Sequence, residues 1–343
     1  MELFVGLDVS LNSIAICVLS SRGKVHKETT SACEPDDLIA FLRTLQGDVA
    51  CIGLEAGPLS QWLYRHLVEA RFETVLMETR QVKGALKAMP IKTDRRDAEG
   101  IARLLHMGWF RPVHCKSISA QEMRALLSAR KTIVQAITNL ELSIRGILRN
   151  FGLKLGRVSK GGFAERVIEL AEDNLKLYAA AKPILDARRA LRHELASLEK
   201  LLGDLARTDR LCHLFMTMPG VGPIVALTVK AAIDDPNRFH SSKDVGPWAG
   251  LTPRREQSGE RDIIGSISRA GDAGLRTVLY QAAMVMLHKD RPSWLTAWAL
   301  NVAKRRGKRR AMVALARRIG VILHRMWRDE TPFRYTRAEP ISS

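Results

Sequence analysis

Four acidic residues in the first third of the chain are candidates for a metal-binding catalytic site. Asp8 ends the first apolar run of the sequence, and Glu55 ends the apolar run that follows the first helical pattern. Asp94 and Asp97 are three residues apart at the start of a later helical pattern, which places both on one face of that helix. If the two apolar runs are neighbouring strands, Asp8 and Glu55 emerge at the same end of the sheet. The alternative is that all four are ordinary helix caps and surface acids.

Carboxylates gathered in this way predict divalent metal ions. Without bound cations, four neighbouring carboxylates would raise one another's pKa values sharply. Ligation by oxygen alone favours Mg²⁺ or Mn²⁺ over zinc, and two such ions about 3.5 to 4 Å apart can hold the attacking and leaving oxygens of a phosphodiester. The pattern therefore predicts phosphoryl transfer with two Mg²⁺ or Mn²⁺ ions, held by Asp8, Glu55, Asp94 and Asp97.

The elements that must position these acids alternate between strands and helices over residues 1–112. Strand patterns cover residues 3–9, 13–19, 24–30, 49–55 and 73–77, and helical patterns cover residues 38–45, 58–70 and 94–105. Three strands joined as hairpins, followed by alternating helices and single strands, predict a mixed sheet covered by helices. We therefore expect an α/β domain at residues 1–112.

Residues 117–210 are predicted to form a helical domain. Apolar residues repeat at heptad spacing from Leu126 to Ile147, and a glycine-rich break and a shorter helix follow. Pro183 is expected to open a second long helix with the same spacing. Two such helices joined by an insert predict an antiparallel coiled-coil hairpin, used for packing within a subunit and between subunits.

Residues 211–335 are predicted to form a mainly helical, basic domain. The Pro-Gly-Val-Gly turn at residues 219–222 is typical of helix-hairpin-helix turns, whose exposed backbone N–H groups meet phosphate. Many ordinary helix connections use glycine in the same way. By itself the turn is therefore weak evidence for phosphate binding.

Ser258 is a second candidate for chemistry, within a glycine- and arginine-rich stretch at residues 250–274. A serine hydroxyl is a weak nucleophile until a base or a metal takes its proton. Arginine side chains nearby can hold a phosphate and stabilise the charge that develops on its oxygens, and the candidates are Arg254, Arg255 and Arg261. The alternative is a serine that merely belongs to a turn.

The positive charge is concentrated in the later two-thirds of the chain. The formal net charge is +18, yet the first 110 residues hold 13 basic and 14 acidic side chains. One short run contains Lys304, Arg305, Arg306, Lys308, Arg309 and Arg310. Such a run predicts binding to a polyanion, because each cation placed on a phosphate releases condensed counterions. The alternative is a solvated helix face.

The composition also argues against several classes of protein. A chain with 46% apolar residues can bury enough surface to fold, so disorder is excluded as its dominant state. It contains no uncharged apolar span of membrane length and no secretion signal is expected at its start. The five cysteines lie far apart, which predicts free thiols in a reducing compartment.

Several segments of the chain resemble one known family. Three of them resemble the Asp-Glu-Asp-Asp tetrad of a RuvC-like, ribonuclease-H-fold domain, in the version found in IS110 family insertion-sequence transposases and the related Piv-type DNA invertases: Gly6–Ser10, Gly53–Gly57 and Lys92–Ala98. Three more resemble that family's second, serine-bearing domain: Met218–Pro223, Trp248–Gly259 and Ile267–Gly271. The resemblance covers nearly the whole chain in the right order.

The resemblance implies a DNA transposase or recombinase that excises and inserts a mobile element. The implied fold is α/β plus all-α, with a ribonuclease-H-like mixed sheet, a coiled-coil hairpin and a mainly helical C-terminal domain. Ser258 occupies the position of the family's proposed nucleophile, which implies a covalent phosphoseryl link to DNA and a composite site completed by the tetrad's metals.

The resemblance also implies partners. An element-encoded bridge RNA would pair with target and donor DNA and so select the sequence. The basic surfaces of the protein would then contact the nucleic-acid backbone and recognise its shape. Cutting and rejoining two duplexes implies a dimer or tetramer, in a prokaryotic cytoplasm and associated with the nucleoid.

Three alternatives remain open from the sequence. The nearest is a metal-dependent junction resolvase or nuclease that hydrolyses DNA with the acidic tetrad and leaves Ser258 as a loop residue. A Piv-like invertase acting without a guide RNA is a variant of the transposase. A non-catalytic nucleic-acid scaffold would use its acids only for structure.

Overall fold

A five-stranded mixed sheet with helices on both faces builds the first unit of the chain, Met1–Lys116. Its strands are β1 (Glu2–Val9), β2 (Ser13–Ser20), β3 (Val25–Ala32), β4 (Asp48–Glu55) and β5 (Thr74–Met77). Its helices are α1 (Pro35–Arg43), α2 (Ser60–Glu69), α3 (Thr79–Leu86) and α4 (Asp94–His106).

The structure is a computed structural model and describes residues 1–87, 92–159, 161–288 and 292–336.

The strands lie in the order β3-β2-β1-β4-β5. The first three strands pair antiparallel as consecutive hairpins, whereas β4 pairs parallel with both β1 and β5. The turn between β2 and β3 uses Gly23 with a positive φ of 72°, which glycine adopts without steric cost. The predicted mixed sheet is therefore observed, with β1 and β4 as parallel neighbours.

Alternation of apolar side chains explains why this sheet carries helices on both faces. In β2, one set of side chains packs with α1 and α2, namely Ile14, Ile16 and Val18. The alternate set packs with α4, namely Ala15, Cys17 and Leu19. Because successive side chains of a strand point to opposite faces, a nearly continuous apolar run is what a sheet covered on both sides requires.

The second unit, Ser117–Ser343, is mainly helical. Its helices are α5 (Ile118–Asn150), α6 (Phe163–Ala171), α7 (Leu175–Thr208), α8 (Arg210–Met216), α9 (Pro223–Ile233), α10 (Val245–Trp248), α11 (Ala273–His288), α12 (Trp294–Arg306) and α13 (Lys308–Asp329). A two-stranded hairpin of β6 (Pro253–Ser258) and β7 (Arg261–Ile267) lies between α10 and α11. The hairpin lies within the glycine- and arginine-rich stretch at residues 250–274, for which no strands were predicted.

Helices α5 and α7 pack together as the predicted antiparallel pair. Arg130 of α5 forms an ion pair with Glu199 of α7, whereas Glu141, further along α5, pairs with Arg188, earlier in α7. Helix α7 begins at Leu175, so the expectation that Pro183 opens it is wrong. Asn174 caps the helix instead, because its side-chain oxygen accepts a hydrogen bond from the backbone N–H of Leu177.

The turn at residues 219–222 joins α8 to α9, and it is buried in part, since Gly220 and Gly222 are half-buried. Met218, Pro219 and Val221 are buried, and Gly220 lies against α11. A Cβ atom at Gly220 would come within 2.4 Å of the carbonyl oxygen of Ala282. The glycine therefore serves close helix packing.

One large core spans much of the second unit. It contains buried residues from α7 through α13 and extends to Phe333, and residues of α5 pack against it. A smaller core lies where α6 meets α5 and α7. The proposed limits at residues 112, 210 and 335 therefore stay predictions, since the packing divides the chain only at Lys116. Within the described residues, no helix combines the length and hydropathy needed to cross a membrane.

Candidate active site

The parallel pairing of β1 and β4 brings Asp8 and Glu55 to one end and one face of the sheet. Leu7 pairs with Leu54, so the next residue of each strand is the acid. Both leucines are fully buried on the α1 and α2 side. Because side chains alternate along a strand, Asp8 and Glu55 both point to the opposite face.

Two glycines let helix α4 lie directly on that face. Gly6 pairs with Gly53 two residues before the acids. A Cβ atom at Gly6 would lie 2.3 Å from the carbonyl oxygen of Ala98 and 2.4 Å from the backbone nitrogen of Ala102. Both alanines are completely buried. This close approach places the first turn of α4 at the end of the sheet where the two strand acids lie.

The first turn of α4 carries the other two predicted acids. Thr93 caps the helix, because its hydroxyl accepts a hydrogen bond from the backbone N–H of Arg96 at 3.3 Å. Asp94 and Asp97 follow at once. Carboxylates in a first turn are favoured by the exposed N–H groups and dipole of the helix. The sequence therefore fixes these acids at a helix start, as predicted.

The chain after Glu55 is held by hydrogen bonds to neighbouring segments. Ala56 donates from its backbone N–H to the carbonyl of Met77 at 3.0 Å and accepts from the Thr79 hydroxyl at 2.7 Å. The buried Ser60 hydroxyl donates to the carbonyl of Gly57 and accepts from its N–H. These contacts order the end of β4 and hence the backbone that carries Glu55.

All four acids line one cleft of about 850 Å³. Burial, and after it the negative charges of Asp97, Asp94 and Glu55 in that order, raise the pKa of Asp8 from 3.8 to about 6. The positive charge of Lys92 acts in the opposite direction. The four predicted residues therefore interact electrostatically across a shared space, in which a cation would be favoured.

The four acids line the same cleft, but their side chains do not surround a single point. Within residues 1–87, 92–159, 161–288 and 292–336, no group of three or more His, Cys, Asp or Glu side chains is arranged to hold a metal ion. Glu55 instead lies 3.8 Å from the ammonium of Lys83. The donor set consists of carboxylates, as Mg²⁺ and Mn²⁺ require, and the side chains would have to turn inward to share one ion.

Lys83 and Lys87 also line the cleft, and sequence analysis did not find them. Lys83 belongs to α3, a helix that it did not predict. The position of α3 in the chain was the available signal. Helix α3 follows β5, which is parallel to β4, and β4 is parallel to β1, so the carboxyl ends of these three strands lie at one edge of the sheet. In an open sheet of parallel strands, that edge is where ligands bind.

Ser258 lies at the tip of the β6–β7 hairpin in the second unit. It pairs with Arg261 across a two-residue turn in which Gly259 has a positive φ of 57°. Both strands are exposed over almost their whole length. Among the described residues, no side-chain hydrogen bond engages the Ser258 hydroxyl. The hydroxyl is therefore accessible to a substrate.

The hairpin separates the three arginines predicted to assist Ser258. Arg261 is directly opposite Ser258 and shares its face. Arg255 lies on the other face, where its guanidinium donates two hydrogen bonds to Asp262 at 2.8 and 2.6 Å. Arg254 donates to the backbone carbonyl of Ser268 at 3.3 Å. Only Arg261 is therefore both unpaired in the described structure and adjacent to the serine.

A tight crossing of the chain fixes the base of this hairpin. Gly250 and Gly271 have positive φ values of 67° and 70°, and a Cβ atom at Gly271 would lie 2.1 Å from the carbonyl oxygen of Trp248. One guanidinium nitrogen of Arg276 donates to the carbonyls of Ala249, Ala270 and Gly271. The exposed strands thus start from a closely packed base, which we call the hairpin neck.

The six cations of the basic run surround the junction of α12 and α13. The first three end α12 and the last three begin α13, with Gly307 between them at a positive φ of 81°. All six are exposed, and no ion pair joins any of them to an acid in the described part of the chain. The basic run therefore consists of two helix ends that meet at one corner, and it does not form a single helix.

The sequence matches two domains of one transposase family. Residues 5–152 match the DEDD transposase domain of IS110 elements, which includes all four acids of the cleft. Residues 212–299 match the domain described as transposase IS116/IS110/IS902 family, which includes Ser258 and the hairpin neck.

Individual relatives agree with this match. The chain is 30% identical over 329 residues to the transposase for insertion sequence element IS1111A of Coxiella burnetii, covering 93% of this chain and 87% of the relative. It is 28% identical to a probable family 20 transposase of Pseudomonas aeruginosa over 290 residues, or 82% of this chain and 85% of the relative. A pilin gene-inverting protein of Moraxella bovis is 26% identical over 163 residues, or 47% of this chain and 48% of that protein. The chain therefore belongs to the IS110/IS116 family of insertion-sequence transposases.

Proposed function

We propose that this transposase cuts and rejoins DNA with two sets of groups, a divalent metal site at the acidic cleft and a nucleophilic Ser258. The observation that carries the proposal is the shared cleft of Asp8, Glu55, Asp94 and Asp97, in which the pKa of Asp8 rises to about 6. Carboxylates used only as caps or surface groups would lie apart in solvent. We identify this first unit with a RuvC-like, ribonuclease-H-like domain.

The residues that would hold Mg²⁺ or Mn²⁺, as one or two ions, are these four acids. When bound, the metal supplies positive charge that stabilises negative oxygens on a phosphodiester. Asp8 and Glu55 would be held in place by their strands, and Asp94 and Asp97 by the capped start of α4. Lys83 and Lys92 would keep the remaining negative charge of the cleft in balance.

Ser258 is proposed to attack a phosphodiester of DNA. Its Oγ would form a bond to phosphorus while the bond from phosphorus to a deoxyribose oxygen breaks, and the departing oxygen takes up a proton. The serine proton leaves during attack, so a base must accept it. Arg261, beside Ser258, would hold the phosphate and offset its charge. The energy of the broken bond is kept in the phosphoserine link and used for rejoining.

The partners follow from this chemistry and from the basic surfaces. The exposed corner from Lys304 to Arg310 would contact phosphates of DNA or RNA without reading sequence, as would Arg254 and Arg255. We propose that an element-encoded bridge RNA supplies sequence choice by base pairing. Strand exchange between two duplexes calls for a dimer or tetramer, partly joined through α5 and α7, at the nucleoid of a prokaryotic cell.

The test is the formation of a covalent protein–DNA adduct. The substrate is labelled DNA carrying both flanks of the gene, together with RNA transcribed from the adjoining noncoding stretch and Mg²⁺. We expect an adduct that survives denaturation in detergent, and its complete loss in Ser258→Ala and Asp8→Ala. Ser266→Ala is the matched control, since Ser266 is an exposed serine of the same hairpin and its loss should leave the adduct intact.

Two outcomes would overturn the proposal. Free cut ends that form equally with Ser258→Ala would identify a metal-dependent resolvase or nuclease. DNA binding without strand breakage, with or without Mg²⁺, would identify a scaffold. An adduct that forms equally well without RNA would keep the serine chemistry and replace RNA guidance by the Piv-like alternative.

A further inference from the structure

Helix α13 carries a row of arginines on the face that it turns away from the core. Its buried residues are Ala311, Leu315, Ala316, Ile319, Gly320, Leu323, His324 and Met326. Four exposed arginines lie on the other side: Arg310, Arg317, Arg325 and Arg328. At about 100° per residue they fall within about 80° of one another around the helix axis. We call this set the arginine row.

The arginine row is long and has no negative partners. Arg310 and Arg328 are 18 residues apart, which corresponds to about 27 Å at 1.5 Å per residue. Helix α13 contains no acidic residue before Asp329. No ion pair or side-chain hydrogen bond involves any of the four guanidinium groups within the described ranges. The row is thus an extended surface of unneutralised positive charge.

The fold of the helix does not account for this pattern. A cation near the start of a helix opposes the helix dipole, so Arg310 is unfavourable there, and only Arg325 and Arg328 near the end are favoured by it. Like charges along one face also repel one another. A helix face that is only exposed to solvent is more stable with a mixture of Lys and Glu, because oppositely charged neighbours on a helix stabilise it. The row therefore costs stability in the free protein and is explained by an anionic partner.

The side chains between the arginines indicate what kind of partner fits. Ala314 and Val321 lie on the same face and are small enough to let a flat surface approach. No aromatic side chain lies among them, which disfavours a single strand whose bases need stacking. Helix α13 contains no Asn, Gln, Ser or Thr, so the side chains that read adenine are missing from it, and its arginines are left to contact phosphate or guanine.

We propose that the arginine row binds the phosphate backbone of a nucleic-acid duplex, as a continuation of the basic corner at Lys304–Arg310. The row spans roughly eight base-pair steps at 3.4 Å each. Guanidinium forks suit phosphate better than ammonium groups do, and the contact is independent of sequence. This inference rests on the proposed function to the extent that the protein acts on nucleic acid, and it adds Arg317, Arg325 and Arg328 to the binding surface.

The test compares the salt dependence of binding in two fourfold variants. One variant is Arg310→Gln, Arg317→Gln, Arg325→Gln and Arg328→Gln. The matched control removes four exposed, unpaired cations from α5 and α7, by Lys131→Gln, Arg149→Gln, Lys176→Gln and Lys200→Gln. Glutamine preserves helix propensity in both, and circular dichroism checks that both proteins remain helical.

Binding to a labelled DNA duplex of about 30 base pairs is followed by fluorescence anisotropy over a series of KCl concentrations. Each lost phosphate contact lowers the slope of log K against log salt by about 0.9, so the row variant should lose about 3 to 4 in slope and at least about tenfold in affinity. The control should change the slope by less than about 1. Equal slopes for the row variant and the control overturn the proposal.

The same variants are measured with duplex RNA and with single-stranded DNA of equal length. A slope loss confined to duplex DNA or to duplex RNA identifies which duplex the row contacts, and a loss with both shows a shared backbone contact. A loss confined to the single strand overturns the proposal. The adduct assay on the wild-type chain is scored separately. If the wild-type chain forms the adduct but the row variant keeps the wild-type salt slope, the proposed function holds and the arginine-row proposal is wrong. If the row variant loses slope but no adduct forms, the arginine row binds a duplex and the proposed function is wrong.

Discussion

At the scale of single residues, Asp8 links the chemistry of the cleft to stability. Its pKa is about 6 in the folded protein and 3.8 ordinarily. The folded state therefore binds a proton that the unfolded state has released between these values, and ionisation lowers stability as the pH rises through that window. The penalty is absent below about pH 4 and complete above about pH 6, and it is about 1 to 2 kcal/mol after allowance for solvent screening.

The prediction is that Asp8→Asn stabilises the metal-free protein at neutral pH. Urea denaturation in EDTA should give the variant about 1 to 2 kcal/mol more relative stability at pH 7 than at pH 4. Millimolar Mg²⁺ should reverse this advantage, because the wild-type carboxylate gains a cation and the amide does not. A difference between variant and wild type that is the same at both pH values would show that Asp8 ionises normally.

At the scale of elements, the contact between β1 and α4 decides whether the acids converge. The prediction is that Gly6→Ala destabilises the protein by about 1 to 3 kcal/mol or more, since its Cβ would overlap the α4 backbone at Ala98. Gly84→Ala is the control, because a Cβ at that position in α3 meets nothing within 4 Å. Urea denaturation measures both. Equal stability of the two variants would mean that α4 does not rest on Gly6.

The hairpin neck is the second element on which the site depends. Gly259 and Gly271 both have positive φ, but only a Cβ at Gly271 would collide with backbone. Gly259→Ala should cost about 1 to 2 kcal/mol for its left-handed conformation. Gly271→Ala should cost more than Gly259→Ala and should also abolish the Ser258 adduct. Thermal denaturation and the adduct assay check this, and similar stabilities for the two variants would contradict a closely packed neck.

At the scale of the whole molecule, each of the two units has its own hydrophobic core. Residues Met1–Lys116 contain all five strands of the sheet and the helices that cover both its faces. The prediction is that this fragment folds alone and unfolds cooperatively in urea with mixed α/β circular dichroism. A fragment without a cooperative transition would show that its core needs the rest of the chain. The basic excess belongs to the other unit, so this fragment should bind duplex DNA weakly.

Much of the first unit could be predicted from the sequence because its signals are local. Alternating apolar residues and the turn at Gly23 specify the strands, and Thr93 with the acids after it specifies the start of α4. The heptads of α5 and α7 likewise predicted their pairing. Helix α3 and the β6–β7 hairpin were missed, since α3 is short and the two exposed strands lack a regular alternation of apolar and polar residues.

The amino-acid order is enough to identify the residues that are available for chemistry and the transposase family to which the chain belongs. Which of these residues meet depends on the tertiary fold. Helix α4 packs directly against Gly6 and Gly53, and the turn at Gly220 packs against α11. Arg261 lies beside Ser258, whereas Arg255 lies on the other face of the hairpin and pairs with Asp262. The reason is physical, because these outcomes depend on close contacts between segments far apart in the chain, whereas composition and periodicity report only on neighbours along it.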